Sequence, residues 1–347
     1  MRDSMNEPGE RRLCLIPKLS GTGGTTSFQL KMLSALKERG IATTLDLDHP
    51  NVEAALIVGG TRDLLRLWHA RKSGVRIFQR LDGINWIHKK RRTGLYHYLK
   101  AERANLLLSF TRNHLATGVV YQSHFVHRWW ESVYGATNVP HAVVYNGVDL
   151  DLYKPQGVNE RPLQRVRLLV VEGRLAGGYE LGLEHAVAFA NVLQGIHAEP
   201  IELMVVGDAS DEVIHAAQGR SLVPIHWTGS VPRERIPEID RSAHLLFAAD
   251  IHPACPNAVI EALACGLPVV GFDTGALGEI VDQESGRIVA YGADPWNLEA
   301  PDFEGLALAA RTVLSDLESF RSGARRRAED KFGLDRMVDG YLEAIGW

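Results

Sequence analysis

The chain has little cysteine, no excess of positive charge and no long apolar run, and each lack narrows what it can be. Cys14, Cys255 and Cys265 are the only three cysteines in 347 residues. They keep no metal-ligand spacing and point to a reducing, cytoplasmic setting. A net charge of −4 argues against a nucleic-acid binder, which is usually basic overall. No apolar stretch approaches the roughly 20 residues of a membrane span, and the opening MRDSMNEPGERR lacks the apolar core of a secretory signal. No internal repeat or low-complexity segment is visible. Cys14 falls in a strand-like run and Cys265 late in a helix-like one, which suits core packing. Cys255 lies in a loop with no basic neighbour in sequence, so a reactive thiol is the minor reading there.

What is present is apolar material in short runs. Hydrophobic residues make up 45% of the chain, enough for ample core, and the length suits two domains. Strand-like runs in the first half are Leu13–Pro17, Ala55–Val58, Val75–Gln79, Leu106–Phe110, Val119–Gln122 and Ala142–Tyr145. The second half has Val166–Val171, Leu203–Val206, Pro224–Trp227, Leu245–Ala249, Pro268–Phe272 and Arg287–Ala290. Between them lie helical patterns at Thr25–Arg39, Arg62–Arg71, Arg92–Arg103, Glu180–Leu193, Asp211–Gln218, Phe303–Ser322 and Leu334–Ile345. Near-continuous apolar strands alternating with helices mean parallel sheets covered on both faces. Two such series predict an α/β chain of two Rossmann-like domains, residues 1–155 and 156–332, divided in the polar segment Lys154–Arg161.

The most informative stretch is Arg241–Val289. A buried strand runs into a short loop that opens a small-residue helix, Pro256–Cys265, ending at Gly266. A second strand, Pro268–Phe272, leads through a glycine turn to a helix start carrying Glu279. Strand ends feeding helix N-termini are where such sheets bind phosphates, because the first N–H groups of a helix are free. Glu261, on the second turn of the first helix, can reach a ribose diol above that terminus. The run PNAVIEALACGLPVV, long and ordered, resembles the donor-nucleotide half of retaining GT-B glycosyltransferases of family 4, the group 1 glycosyl transferases.

The resemblance implies a GT-B fold, with two Rossmann-like domains facing a cleft and residues 333–347 crossing back onto the first. It implies transfer of a hexose or related sugar, with retention, from a UDP- or GDP-linked sugar to a glycan or lipid-linked acceptor in cell-surface polysaccharide or glycolipid assembly. It implies no cofactor beyond that donor. No Asp-x-Asp pair lies at a strand end; Asp149 and Asp151 fall in the turn between domains, so a metal-independent reaction is expected. The family's glycine loop over the donor phosphates corresponds to Gly21, Gly23 and Gly24 after the first strand, with Thr25 or Thr26 as helix cap. Lys18 is a candidate for acceptor or phosphate contact, or a solvated charge. Asp82 stands at or beside the position where members often carry histidine near the transferred sugar; it fits a catalytic role or a loop cap. Ser123 is read as a sugar contact or as a helix cap.

In the second half Arg174 matches the family arginine that neutralises the leaving diphosphate, though a strand-end charge would look the same. The lysine that follows it in the family is absent, with Gly177-Gly178 in its place. Ser230 and Val231 match the element whose backbone contacts the base. Asn257 and Ala258 offer amides to the pyrophosphate, and Glu261 matches the ribose-binding member of an E-x7-E pair. Pro253 occupies the place of its first acid, with His252 or Asp250 as possible substitutes for sugar contact. Glu279 fits a later element or caps its own helix. Asp82, Arg174 and Glu261 are thus the catalytic expectations. The run Trp86, Ile87, Lys89, Lys90, Arg91, Arg92 reads either as a solvated face or as an anchor to an anionic membrane at its cytoplasmic side. Two other classes remain. The missing lysine and acid suit a catalytically weakened nucleotide-binding or partner protein. A nicotinamide-dependent oxidoreductase would need a Gly-x-Gly-x-x-Gly spacing that Gly21, Gly23 and Gly24 do not keep.

Overall fold

The computed structural model describes residues 10–18 and 23–347; the chain's first nine residues and Gly21 of the glycine loop lie outside them. The chain divides into two compact units. The first takes Met1–Asn85, Tyr96–Tyr145 and Leu334–Trp347; the second takes Trp86–Leu95 and Asn146–Gly333.

In chain order the first unit gives β1 (Arg12–Ile16), α1 (Gly24–Glu38), β2 (Thr43–Thr44), β3 (Val52–Val58), α2 (Leu64–Lys72) and β4 (Arg76–Leu81). It continues with α3 (Leu95–Phe110), β5 (Gly118–Tyr121), α4 (His124–Tyr134) and β6 (His141–Val143). The six strands form a parallel sheet in the order β2-β1-β3-β4-β5-β6. Strands β1 and β3 are buried almost throughout, as a sheet with helices on both faces requires. The expected strand at 106–110 is instead the end of α3. Ala101, Asn105 and Leu108 recur at helical spacing as its buried face, while Leu106 between them is exposed. Helix α1 begins one residue before the expected cap: Gly23 is its N-cap, with no side-chain cap bond, so neither Thr25 nor Thr26 plays that part. Its end is as expected, with Gly40 in the left-handed region at φ 69°.

The second unit gives β7 (Val166–Leu175), α5 (Glu180–Ile196), β8 (Ile201–Ala209), α6 (Asp211–Arg220), β9 (Ile225–Gly229), α7 (Ile236–Arg241) and β10 (Leu245–Phe247). Then follow α8 (Asn257–Ala264), β11 (Val269–Phe272), α9 (Leu277–Ile280), β12 (Gly286–Val289), α10 (Phe303–Ser315) and α11 (Leu317–Lys331). Its parallel sheet runs β12-β11-β10-β7-β8-β9. The long helix expected at Phe303–Ser322 is two, because Asp316 leaves helical geometry (φ −134°, ψ 45°) between them. Its core gathers strand residues such as Leu168, Val170 and Phe247 with Leu183, Phe189 and Leu306 from the helices.

The last helix, α12 (Leu334–Ile345), belongs to the first unit. Met337, Val338, Tyr341 and Ile345 join Leu13, Leu15, Phe28 and Met32 in one core, and the Phe28 and Tyr341 rings lie 4.9 Å apart. The chain passes from first to second unit at Tyr145/Asn146, before the expected division at 155. The reason is local: Asn146 donates from its side-chain amide to the Cys255 carbonyl at 2.8 Å, and from its backbone N–H to Cys255 Sγ at 3.2 Å. The same contacts make Cys255 a buried packing residue.

Candidate functional site

Parallel sheets place chemistry at the carboxyl ends of their strands, and both units do so. In the first unit Lys18 follows β1 and is exposed, and Gly23 and Gly24 open α1 exposed to solvent. Among the described residues a Cβ on Gly23 would meet nothing within 4 Å. Thr25 is half-buried within the first turn. Asp82 directly follows β4. Burial raises its carboxyl pKa above the ordinary range, with the Arg80 guanidinium opposing. Its carbonyl accepts a bond from Trp130 Nε1 at 2.8 Å, which fixes the loop. Ser123, at the end of β5, is wholly buried, and its hydroxyl accepts from the Val126 N–H at 3.2 Å. It caps α4; of the two readings the sequence left open, the structure displays this one.

In the second unit Arg174 lies near the end of β7, opposite Asp208 of β8, exposed and, among the described residues, without an ion-pair partner. Strand β9 ends at Gly229 (φ 66°), delivering the exposed Ser230 and half-buried Val231 beyond the sheet edge. The loop after β10 opens α8, whose N-cap Pro256 supplies no side-chain bond; Asn257 and Ala258 are half-buried at its first turn. One turn on, Glu261 is buried and pairs with Arg233 Nη2 at 3.6 Å. These groups share one sheet edge.

The loop between β10 and α8 is held from two sides. Gly275 sits at φ 58°, and a Cβ there would come within 2.4 Å of Pro253 N, so only glycine allows the approach. The Pro253 carbonyl accepts from the Ala276 N–H at 2.8 Å. Proline at the first-acid place thus serves the loop's packing. Glu279 is half-buried in the first turn of α9, and its carbonyl is bonded by Arg327. On the other side His252, at φ 62°, stacks on Trp296 with ring centroids 3.6 Å apart and meets the edge of Trp86 at 5.1 Å. Burial lowers its pKa to about 4, so the ring is neutral. The imidazole is buried and packed against these two rings.

Trp86 and Ile87, read from sequence as membrane wedges, are spent in this packing. Ile87 lies over Gly178, where a Cβ would come within 2.7 Å of it. Lys90 bonds Asn297 at 2.7 Å, and Arg91 reaches the Gly178 carbonyl at 3.5 Å and Glu184 at 3.8 Å. Lys89 and Arg92 are exposed. The segment therefore packs over Gly178 and reaches its carbonyl.

Under it lies a feature the sequence reading missed. Trp86, Ile87, Gly178 and Tyr179 help enclose a cavity of about 20 Å³ that Glu172 and Asp250 also line, room for about one water. Burial, and then the charge of Asp250, raises Glu172 to about 8; burial raises Asp250 to about 7, against a bond from the Ile251 N–H. The pair holds a proton near neutrality. Glu172, beside Gly173-Arg174, carried no signal in sequence, because its environment comes from a segment far along the chain. Among the described residues no group of three or more His, Cys, Asp or Glu side chains is placed to hold a metal ion.

Comparison with known proteins agrees with this geometry. Residues 167–316 match the family model described as glycosyl transferases group 1. A GDP-mannose-dependent alpha-(1-6)-phosphatidylinositol dimannoside mannosyltransferase of Mycobacterium tuberculosis is 30% identical over 224 residues, 61% of this chain and 53% of that protein. The chain thus spans about half the length of that relative. Among solved structures, sucrose-phosphate synthase from Thermosynechococcus elongatus superposes with a TM-score of 0.72 at 15% identity, covering 96% of this chain and 98% of that one. HepE of Anabaena, solved in complex with UDP-glucose, superposes at 0.68 and 14% identity, covering 97% and 100%. These likenesses show the two-domain α/β fold of the GT-B type. Through residues 167–316 the chain is similar to the group 1 glycosyl transferases.

Proposed function

We propose that the chain transfers a hexose or related sugar from a nucleoside diphosphate sugar to a glycan or lipid-linked acceptor, with retention of anomeric configuration. The observation that carries the reading is one sheet edge in the second unit. There the first turn of α8, Glu261, the Ser230–Val231 backbone and the unpaired Arg174 stand together. In this reading Glu261 takes the ribose hydroxyls and the α8 amides meet the diphosphate. Arg174 offsets the charge that grows on the leaving phosphate. The leaving phosphate accepts the acceptor's proton in a front-side displacement, so no divalent cation is required. Lys18, the Gly23–Gly24 turn and Asp82 serve the acceptor side.

The test is turnover of a panel of UDP- and GDP-sugars with candidate lipid-linked and free glycan acceptors, followed by the anomeric signal of the product. Arg174→Ala is expected to lower kcat by about 100-fold or more. Glu261→Ala is expected to raise the donor KM by about tenfold or more. Chelation of divalent ions is expected to leave the rate unchanged. Nucleotide binding without turnover would favour the weakened partner protein, for which Gly178, covered by Ile87, is the specific observation.

A membrane-bound acceptor is supported by α3 rather than by Trp86 and Ile87. Leu95, Leu99, Leu106 and Phe110 follow one stripe of that helix and are all exposed, with Lys100 and Arg103 exposed beside them. Among the described residues no helix is long and apolar enough to cross a membrane. Sedimentation with vesicles containing anionic lipid is expected to recover the protein, and Leu99→Glu with Leu106→Glu is expected to release it.

A further inference from the structure

Glu261 is read above as the ribose acid, yet it already has a cation beside it. Arg233 Nη2 lies 3.6 Å from Glu261 Oε1. Arg233 opens a short 3-10 turn (Arg233–Arg235) just beyond Pro232, two residues after Val231. Its backbone is anchored: the Arg233 carbonyl accepts from the Tyr153 hydroxyl at 3.5 Å. Its guanidinium is 39% exposed, whereas the Glu261 side chain is 10% exposed. The mobile partner of the pair is thus the arginine.

A second carboxyl explains why a cation stands there. Asp240, on α7, is buried, and the Cys265 thiol hydrogen-bonds it. Burial, and then the charge of Glu261, pushes its pKa well up, so Asp240 is the neutral member. Arg233 pairs with Glu261 from the solvent side.

A ribose diol donates two O–H groups to the same carboxylate, so a bound donor competes with Arg233 for Glu261. Arg233 follows Val231 by two residues, so a guanidinium released from Glu261 is within chain reach of the Ser230–Val231 backbone, where the base edge falls in the donor reading. A guanidinium carries five donors and no acceptor. It satisfies base carbonyls, such as O4 of uracil or O6 of guanine, and meets an exocyclic amine donor-to-donor. We infer that Arg233 is a base-selecting residue of the donor site, favouring nucleoside diphosphates with a ring carbonyl at that edge over those with an amine. This rests on the donor-site reading and adds a residue and a ligand class to it.

Calorimetric titration of the full chain with UDP, GDP, ADP and CDP tests it, with Arg233→Ala, Arg233→Lys and Glu261→Ala beside the wild type. A melt of each variant checks folding. The wild type is expected to bind UDP or GDP more tightly than ADP and CDP. Arg233→Ala should weaken the carbonyl-bearing ligands by about tenfold or more and the amine-bearing ones by much less, closing the gap between classes. Lysine, a single-point donor, should restore part of it. Equal weakening for all four ligands would mean a phosphate or ribose contact and overturns the inference. An unchanged profile in Arg233→Ala, with binding lost in Glu261→Ala, overturns it while leaving the donor site standing. No binding of any nucleotide by the wild type overturns both.

Discussion

At the scale of single residues, the acid pair beside Arg174 has the clearest consequence. Glu172 has a folded pKa of about 8, raised by burial and by Asp250, against an ordinary carboxyl value near 4.5. An acid whose folded pKa is raised contributes stability that is present below the unfolded pKa and lost as pH rises toward the folded one. Glu172→Gln removes the group that must ionise. Its melting temperature relative to wild type should therefore climb steadily between about pH 5 and pH 9, from near zero or slightly negative at the acid end. A difference that stays flat over that range would show that the pair is not held protonated. His252, His185 and His244 work in the opposite direction. Burial lowers each to about 4, so the stability they give is present above their unfolded value near 6.5 and is lost as pH falls below it. The wild-type melting temperature should thus drop between about pH 6.5 and 4, and His252→Phe, which keeps the stack on Trp296 without a titrating ring, should blunt that drop.

At the scale of elements, the sequence carried most of the second unit and less of the first. Strands β7 and β8 contain apolar runs, β10 and β11 are short and buried throughout, and α8 follows Pro256 and stops just before Gly266, so local chemistry marks them. Leu106–Phe110 misleads because five residues of mixed apolar character fit either period, and only the preceding turns of α3 decide. Glu261, Arg174 and Asn257 were legible because their places are fixed by elements close in sequence. Arg233, Glu172 and the stacking of His252 were not, because each depends on a partner brought by another part of the chain. Gly275 shows how tightly such partners are fitted. Gly275→Ala puts a Cβ at φ 58° against the Pro253 backbone, where nothing flexible can yield. It should cost about 1–3 kcal/mol and raise the donor KM, since the Pro253 loop leads into the first turn of α8. A melt and a donor saturation curve measure both. An unaltered melt would mean that the loop has another resting place.

At the scale of the whole molecule, the chain leaves and re-enters each unit, so neither is a continuous stretch. The apolar stripe of α12 was legible, but its destination was known only through a resemblance, because periodicity gives a face and not the surface that receives it. The receiving surface is the core around Leu13, Leu15, Phe28 and Met32. Met337 is buried at 3% exposure within it, and Arg39 pairs with Asp335 and Asp339 at the helix rim. The rim pairs are solvent-exposed on the acid side and contribute little, on the order of 0–1 kcal/mol. The apolar face therefore carries the attachment. Met337→Ala should destabilise the first unit by about 2–5 kcal/mol, whereas Asp335→Asn with Asp339→Asn should cost under about 1 kcal/mol. Because the second unit has its own core, nucleotide binding by the full-length Met337→Ala variant should survive to temperatures where sugar transfer is already lost. Hydrogen exchange read against temperature separates the two: amides of β1 and β3 should lose protection first in the variant, with those of β7 and β8 unchanged. Simultaneous loss across all four strands would show instead that the two cores unfold as one, and that α12 stabilises the entire chain.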